Sequence, residues 1–394
     1  MIRRLLHHRL YRNRRRGTVA ILACLLMTVL LGMLAFSVDL SYLANSRAEL
    51  QRTADSAALA ACYQLVYKGT PGTPVNLATN VANMPTVAGQ YAGLNHVCNG
   101  APALAASDVV VGFMANPNQP GGTINTSADQ NLFNSVQVTV RRTAAENGQI
   151  PTFFSSVFGI SGQNASATAT AALIGNFNGL GVPSKNGGGS ANLMLLPFAL
   201  DKQTWDAMLA GDTSVSTDVW NYNSGGQVVS GSDGIREVNL FPQGTGSPGN
   251  RGTVKIGTNN NSTATVVNQI INGISPAEMA NYPNSQLTFD GSGNLFLGAN
   301  PGISAGFKSA LASIIGQTRF IPIFTSVTGN GNNAQYDIVA FVGVRVMDVN
   351  LTGSMNSKHL TIQPATIYTR GGVSNTSPSN RSSYGLYSPV FLVK

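Results

Sequence analysis

Seven arginines (Arg3, Arg4, Arg9, Arg12, Arg14, Arg15 and Arg16) and no acidic residue occupy the first sixteen positions, and no charge follows until Asp39. The apolar run Thr18–Val38 is 21 residues long; as a helix rising about 1.5 Å per residue it matches the roughly 30 Å hydrocarbon core of a bilayer. This pattern predicts a single transmembrane helix over residues 17–38. The positive-inside bias keeps an arginine-rich flank in the cytoplasm, so residues 1–16 read as a basic cytoplasmic tail and the chain from residue 39 onward as exported.

A cleaved signal peptide is the competing reading, with Ala35-Phe36-Ser37 as a small-x-small cleavage site. Its apolar region usually covers only about 7–15 residues, and the pattern beyond Asp39 also argues for one continuous helix. Leu40, Leu43, Leu50, Ala54, Ala57, Ala61 and Leu65 recur at three- and four-residue steps, forming one stripe interrupted by Arg47. Glu49, Arg52 and Asp55 fall three apart on another face, where they pair weakly. The expectation is one helix over 18–67, membrane-embedded first and amphipathic after.

Charge follows the same division. Taking the seven tail arginines from 24 basic residues leaves 17 against 16 acidic ones, so the exported part is near neutral and the basic pI reports topology. It gives no support for nucleic-acid binding. Cys24 lies in the span, where a thiol behaves as a small hydrophobe. Cys62 and Cys98 are both exported and are a candidate disulfide in an oxidising compartment, the free state being the open alternative. No clustered set of nitrogen or sulfur ligands suggests a metal site, and no cofactor is expected.

Three strings carry a resemblance: Arg16-Gly17-Thr-Val-Ala, then Phe36-Ser-Val-Asp39-Leu, then Arg47-Ala-Glu-Leu50-Gln51-Arg-Thr-Ala54-Asp55-Ser-Ala57-Ala58-Leu59-Ala60. Together they closely resemble the N-terminal module of the TadE/TadG-like proteins of Flp pilus assembly, the tight-adherence system. The resemblance covers about the first 50 residues past the tail. It implies a single-pass envelope protein of the cell inner membrane, whose partners are the membrane and other pilus-assembly or envelope proteins, with self-association left open. Pilin-type members carry a glutamate five positions after a processing glycine; counted from Gly17 that position is Leu22, so cleavage and fibre assembly are not expected. The metal-binding Asp-x-Ser-x-Ser string of many TadG-like proteins is also missing, since Asp39-Leu-Ser41-Tyr-Leu43 lacks the second serine.

The expected fold is α+β, with the long helix laid on a small antiparallel sheet in a pilin-like plan, followed by a β-rich C-terminal domain. The exported module covers 39–175, with an Ala-rich helix near 74–92 and strands at Asp108–Phe113, Asn134–Arg142 and Ala165–Ile174. Pro151–Gly159 reads as a short buried helix ended by glycine. Residues 176–191, rich in Gly, Asn and Ser, read as a flexible linker. The domain 192–394 has expected strands at Asn192–Ala199, Glu237–Phe241, Gly252–Ile256, Phe320–Thr328, Tyr336–Val349 and His359–Ile367. Helices are expected from Ser262, from the capping-box string Ser275-Pro-Ala-Glu278 and over Ser304–Ile315.

No catalytic constellation emerges. Only His96 and His359 are exported and no Gly-x-Ser-x-Gly elbow accompanies them, so no enzyme is expected. Asp290-Gly-Ser-Gly-Asn294 and Ser232–Glu237 read as turns rather than calcium loops. The residues point to a non-enzymatic, membrane-anchored scaffold or interaction protein of a Tad/Flp-like apparatus. The alternative is an anchored ligand-binding or adhesin module, with Trp205, Trp220, Tyr222 and Phe241 as candidate groove aromatics.

Overall fold

The computed structural model describes residues 16–66, 69–70, 73–74, 77–119, 121–183, 189–241, 251–257, 262–300, 304–329, 333–354, 357–374 and 383–393. The arginine tail up to Arg15 and residues 184–188 of the glycine-rich stretch lie outside them.

Helix α1 runs unbroken over Arg16–Tyr63, 48 residues. Leu and Ala dominate it and proline is absent, so nothing interrupts the i to i−4 ladder. Among the described residues it is the one helix long and apolar enough to cross a membrane. Its character changes at one point: from Val19 to Val38 the large apolar side chains are exposed, whereas Asp39, Ser46, Leu50, Thr53, Ala54, Ala57, Ala58, Ala61 and Cys62 are buried.

The buried half packs on helix α2 (Leu77–Gly93) and on strands β2 (Ser135–Arg142) and β3 (Ala165–Ala172), while strand β1 (Val109–Gly112) packs on α2 and pairs with β2. β2 and β3 pair antiparallel from Ser135 opposite Ala172 to Arg142 opposite Ala165. The two-residue period of the strand sends Val136, Val138 and Val140 into the core, and leaves Gln137 and Thr139 to bond Thr170 and Thr168 on the other face. Alanines at 54, 57, 58 and 61 let the helix backbone approach the valine face closely, and Met84, Ala88 and Ala92 of α2 join the same core.

One feature of this module departs from the sequence expectation. Residues 151–159 do form a helical turn, Ser155–Phe158, closed by Gly159 at φ 81°, but it is exposed instead of buried. It is the tip of a small hairpin whose arms, Ile150–Pro151 and Gly162–Gln163, pair antiparallel. Of the two states left open for Cys62 and Cys98, the structure has the free one. The Cys98 backbone N–H donates to Glu49 Oε2 at 2.9 Å and its Sγ lies 3.1 Å from Ser46 Oγ. Cys62 is sixteen residues beyond Ser46 on the same helix, about 24 Å away, against the roughly 7 Å Cα separation that a disulfide tolerates.

The stretch read as linker contains a strand. β4 (Phe177–Gly181) is the middle strand of a three-stranded sheet, between Gln286–Thr288 and Gly372–Ser374, with Phe177 and Leu180 buried. A Cβ on Gly179 would stand 2.1 Å from the Leu287 carbonyl oxygen, so glycine here permits close strand contact.

The rest of the domain is organised by a long hairpin, β5 (Thr318–Thr328) and β6 (Gln335–Asn350), extended by β7 (His359–Pro364) and by Glu237–Phe241. Phe320 and Phe324 enter one core and Ile321 and Ile323 another, so the hairpin is buried on both faces. Helix α3 (Thr263–Asn272) starts at the Ser262 cap, and the capping box at Ser275 and Glu278 is formed as expected. Asn192–Ala199 is not a continuous strand: Leu193, Leu195 and Phe198 make single bridges to three different partners around Pro197, which cannot donate to a ladder.

The chain then returns to where it began. Phe391–Leu392 pairs with β3 as an edge strand of the first sheet, and Ser388 exchanges backbone and hydroxyl bonds with Ile174. Sheet order is therefore Phe391–Leu392, β3, β2, β1, so the head built on α1 extends beyond the expected 39–175 range.

Candidate functional site

The junction where α1 changes from bare to buried is built around Asp39, only 7% exposed. Its carboxylate accepts four donors from the hairpin tip: the Phe153 N–H at 2.8 Å, the Phe154 N–H at 3.1 Å, the Ser155 N–H at 2.7 Å and the Ser155 hydroxyl at 2.7 Å. Those N–H groups open the Ser155–Phe158 turn and have no partner within it, and an anion is the natural acceptor there. Burial pushes the Asp39 carboxyl up, but the Ser155 hydroxyl and the three amides outweigh it and hold the group at about 2. Tyr42, one turn along, meets the Phe153 ring edge-on at 5.2 Å.

The tip carries Phe153, Phe154, Val157, Phe158 and Ile160, all exposed. It meets α1 at Asp39 and Tyr42, directly after the exposed Val38.

The other sequence-predicted residues fall into two groups. Leu50, Ala54, Ala57 and Ala58 are core, and Leu59 is half-buried beside them. Gln51 is exposed and donates to Asp55 at 2.8 Å, one turn on, so this pair faces away from the core. Gly17 lies on the bare helix with open space around its Cα. Cys62 is enclosed in the core, and burial pushes its thiol up.

In the C-terminal domain the candidate aromatics do not converge. Trp205 is core, and Tyr222 is covered by the Arg345 guanidinium at 3.4 Å from the ring centre. His359 pairs with Asp348 at 2.7 Å between β6 and β7, and His96 is exposed. The Asp290 carboxylate accepts from the Ser292 and Asn294 amides of its own turn. Among the described residues no group of three metal-type ligands is gathered. Sequence reasoning missed the partners of Asp39: an isolated carboxylate at the end of an apolar run is a signal that donors must exist, but it does not say which.

A bare apolar helix running without a break into a head of helix on antiparallel sheet defines the architecture of the N-terminal part. Residues 17–67 match the family described as "Putative Flp pilus-assembly TadE/G-like", and residues 43–171 match "Putative Tad-like Flp pilus-assembly". Over residues 17–171 the chain is thus similar to Tad/Flp pilus-assembly proteins. No curated protein and no solved structure matches the chain.

Proposed function

We propose that the protein is a non-enzymatic, membrane-anchored component of a Tad/Flp-like pilus assembly or adherence apparatus. Residues 17–38 cross the inner membrane once, the arginine tail stays in the cytoplasm, and the head and C-terminal domain stand outside as a scaffold for other envelope components. The observation that carries this reading is the single transition in α1: bare and apolar to Val38, with one face buried from Asp39 onward, within a helix that also bears the family motif. A lipid-free protein would have no reason to leave so long an apolar run uncovered.

A second reading, an anchored ligand-binding or adhesin module, is favoured by one feature. A concavity of about 500 Å³ in the C-terminal domain is lined by Lys255, Asn281, Tyr282 and Phe296, with Phe296 exposed.

Deleting the gene and restoring the wild type, a Leu26→Arg/Leu30→Arg variant of the span or a Phe296→Ala variant separates the readings. Under the assembly reading surface pili disappear, return with wild type and Phe296→Ala, and do not return with the charged span. Unchanged pili, with adhesion that is lost in Phe296→Ala, would move the function to the concavity. Protease digestion of spheroplasts tests the orientation, since the head should be cut and a tag at residue 1 should not.

A further inference from the structure

We infer that the hairpin tip Phe153–Ile160 is a second membrane contact, an apolar lip that enters the outer face of the same bilayer that α1 crosses. This deepens the anchored reading of α1 and rests on it.

Place is the first argument. The arms of the hairpin start at Ile150, a fully buried residue of the head core, and the tip reaches Asp39, the first residue after the apolar run. Where α1 leaves the hydrocarbon, the lip is therefore beside it. Val157 and Phe158, in the turn between the arms, are 82% and 85% exposed.

Chemistry is the second. From Asn147 to Ser184 the sequence contains no charged residue, and the tip presents three phenylalanines, a valine and an isoleucine. Aromatic and branched apolar groups at this depth suit the boundary between headgroups and acyl chains, into which amphipathic elements sink about 5–10 Å.

Backbone accounting is the third. Entry into a poorly hydrated layer is costly for unpaired amides, and here six of the tip's amides are paired. Asp39 takes the N–H groups of 153, 154 and 155. Within the tip, Val157, Gly159 and Ile160 donate to Phe154, Ser156 and Ser155 carbonyls, and the Ser156 and Thr152 hydroxyls donate to Phe153 and Ile160 carbonyls. The buried carboxylate is thus what makes the lip fit to meet lipid, as well as what ties it to the anchor helix.

A protein surface is the other occupant that such a patch would suit, and the test uses purified protein so that none is present. Full-length Phe158→Trp protein is reconstituted into phosphatidylethanolamine–phosphatidylglycerol vesicles with or without lipid brominated near the headgroup end of the acyl chain. The expected result is blue-shifted emission from the added tryptophan and at least a twofold loss of it with brominated lipid, while Val229→Trp on the C-terminal domain is unquenched. Adding Val157→Asp to Phe158→Trp should reduce the quenching without moving the thermal midpoint, because both side chains are exposed. Phe158→Trp protein that floats with the vesicles but whose added tryptophan is unquenched overturns the lip and leaves the anchor standing. Protein that does not float overturns both.

Discussion

Leu50 and Gln51 are neighbours in the same family motif, yet the structure gives them opposite duties. Leu50 is wholly buried between α1 and the sheet, while Gln51 is exposed with one bond to Asp55. Leu50→Ala removes three carbons from a packed core at about 0.8 kcal/mol each and leaves a cavity, so about 3 kcal/mol of stability is lost. Gln51→Ala gives up one exposed i,i+4 contact worth at most about 0.5 kcal/mol. Pulse proteolysis of full-length protein in detergent, read against urea, measures both. With a slope of about 3 kcal/mol per molar urea, Leu50→Ala should lower the midpoint by about 1 M and Gln51→Ala by less than about 0.2 M. Equal shifts, or a Gln51 effect above about 1 kcal/mol, would refute the helix orientation. The same pair separates folding from assembly: loss of pili in Gln51→Ala at unchanged stability assigns the exposed face of the motif to a partner.

The remaining predictions concern the junction, the thiols and the returning strand. Asp39 is held below its ordinary value of 3.8, at about 2, so its contribution to stability is full above pH 3.8 and is lost as pH falls toward 2. The gap in thermal midpoint between wild type and Asp39→Asn should therefore close over that window, and a constant gap would refute the assignment. In native protein outside the span, a maleimide should modify Cys98 before Cys62, whose reaction requires unfolding, and reductant should leave stability unchanged. Truncation before Pro389 removes the edge strand on β3 at a cost of about 1 kcal/mol or more, or about 2–4 °C, and amides of β3 should exchange faster with solvent; unchanged exchange there would mean the two parts are independent.

Much of this architecture is legible in the sequence because its local rules are strong. An uncharged apolar run behind arginines, valines alternating at 136, 138 and 140, and Ser275 capped against Glu278 each need only neighbours within a few positions to declare themselves. Phe153–Phe158 misleads for a physical reason: apolar residues ended by glycine are read as core when water is assumed to be outside, and the sequence does not state what surrounds each part. Phe177–Gly181 misleads differently. Its glycines look like linker composition, but Gly179 is small because a neighbouring carbonyl occupies the space of its side chain. Long-range pairings, such as Asp39 with residues 153–155 or Phe391 with Ala172, carry no local signature.

The return of the C-terminus has a mechanical consequence. A domain joined by one linker rotates about it, and the sequence alone describes such an arrangement. Here the second domain is tied to the head at two places, through Ile174 leading into β4 and through Ser388–Leu392 on the edge of β3. Both ties end on the sheet whose valines grip α1, and α1 has no proline or kink between that grip and its bare half. Force applied to the C-terminal domain therefore passes through the sheet into the helix rather than being absorbed at a hinge. Asp39 fixes the helix again at the point where it becomes bare. The proposed scaffold role would need such a path, and a flexible chain of domains would not supply it.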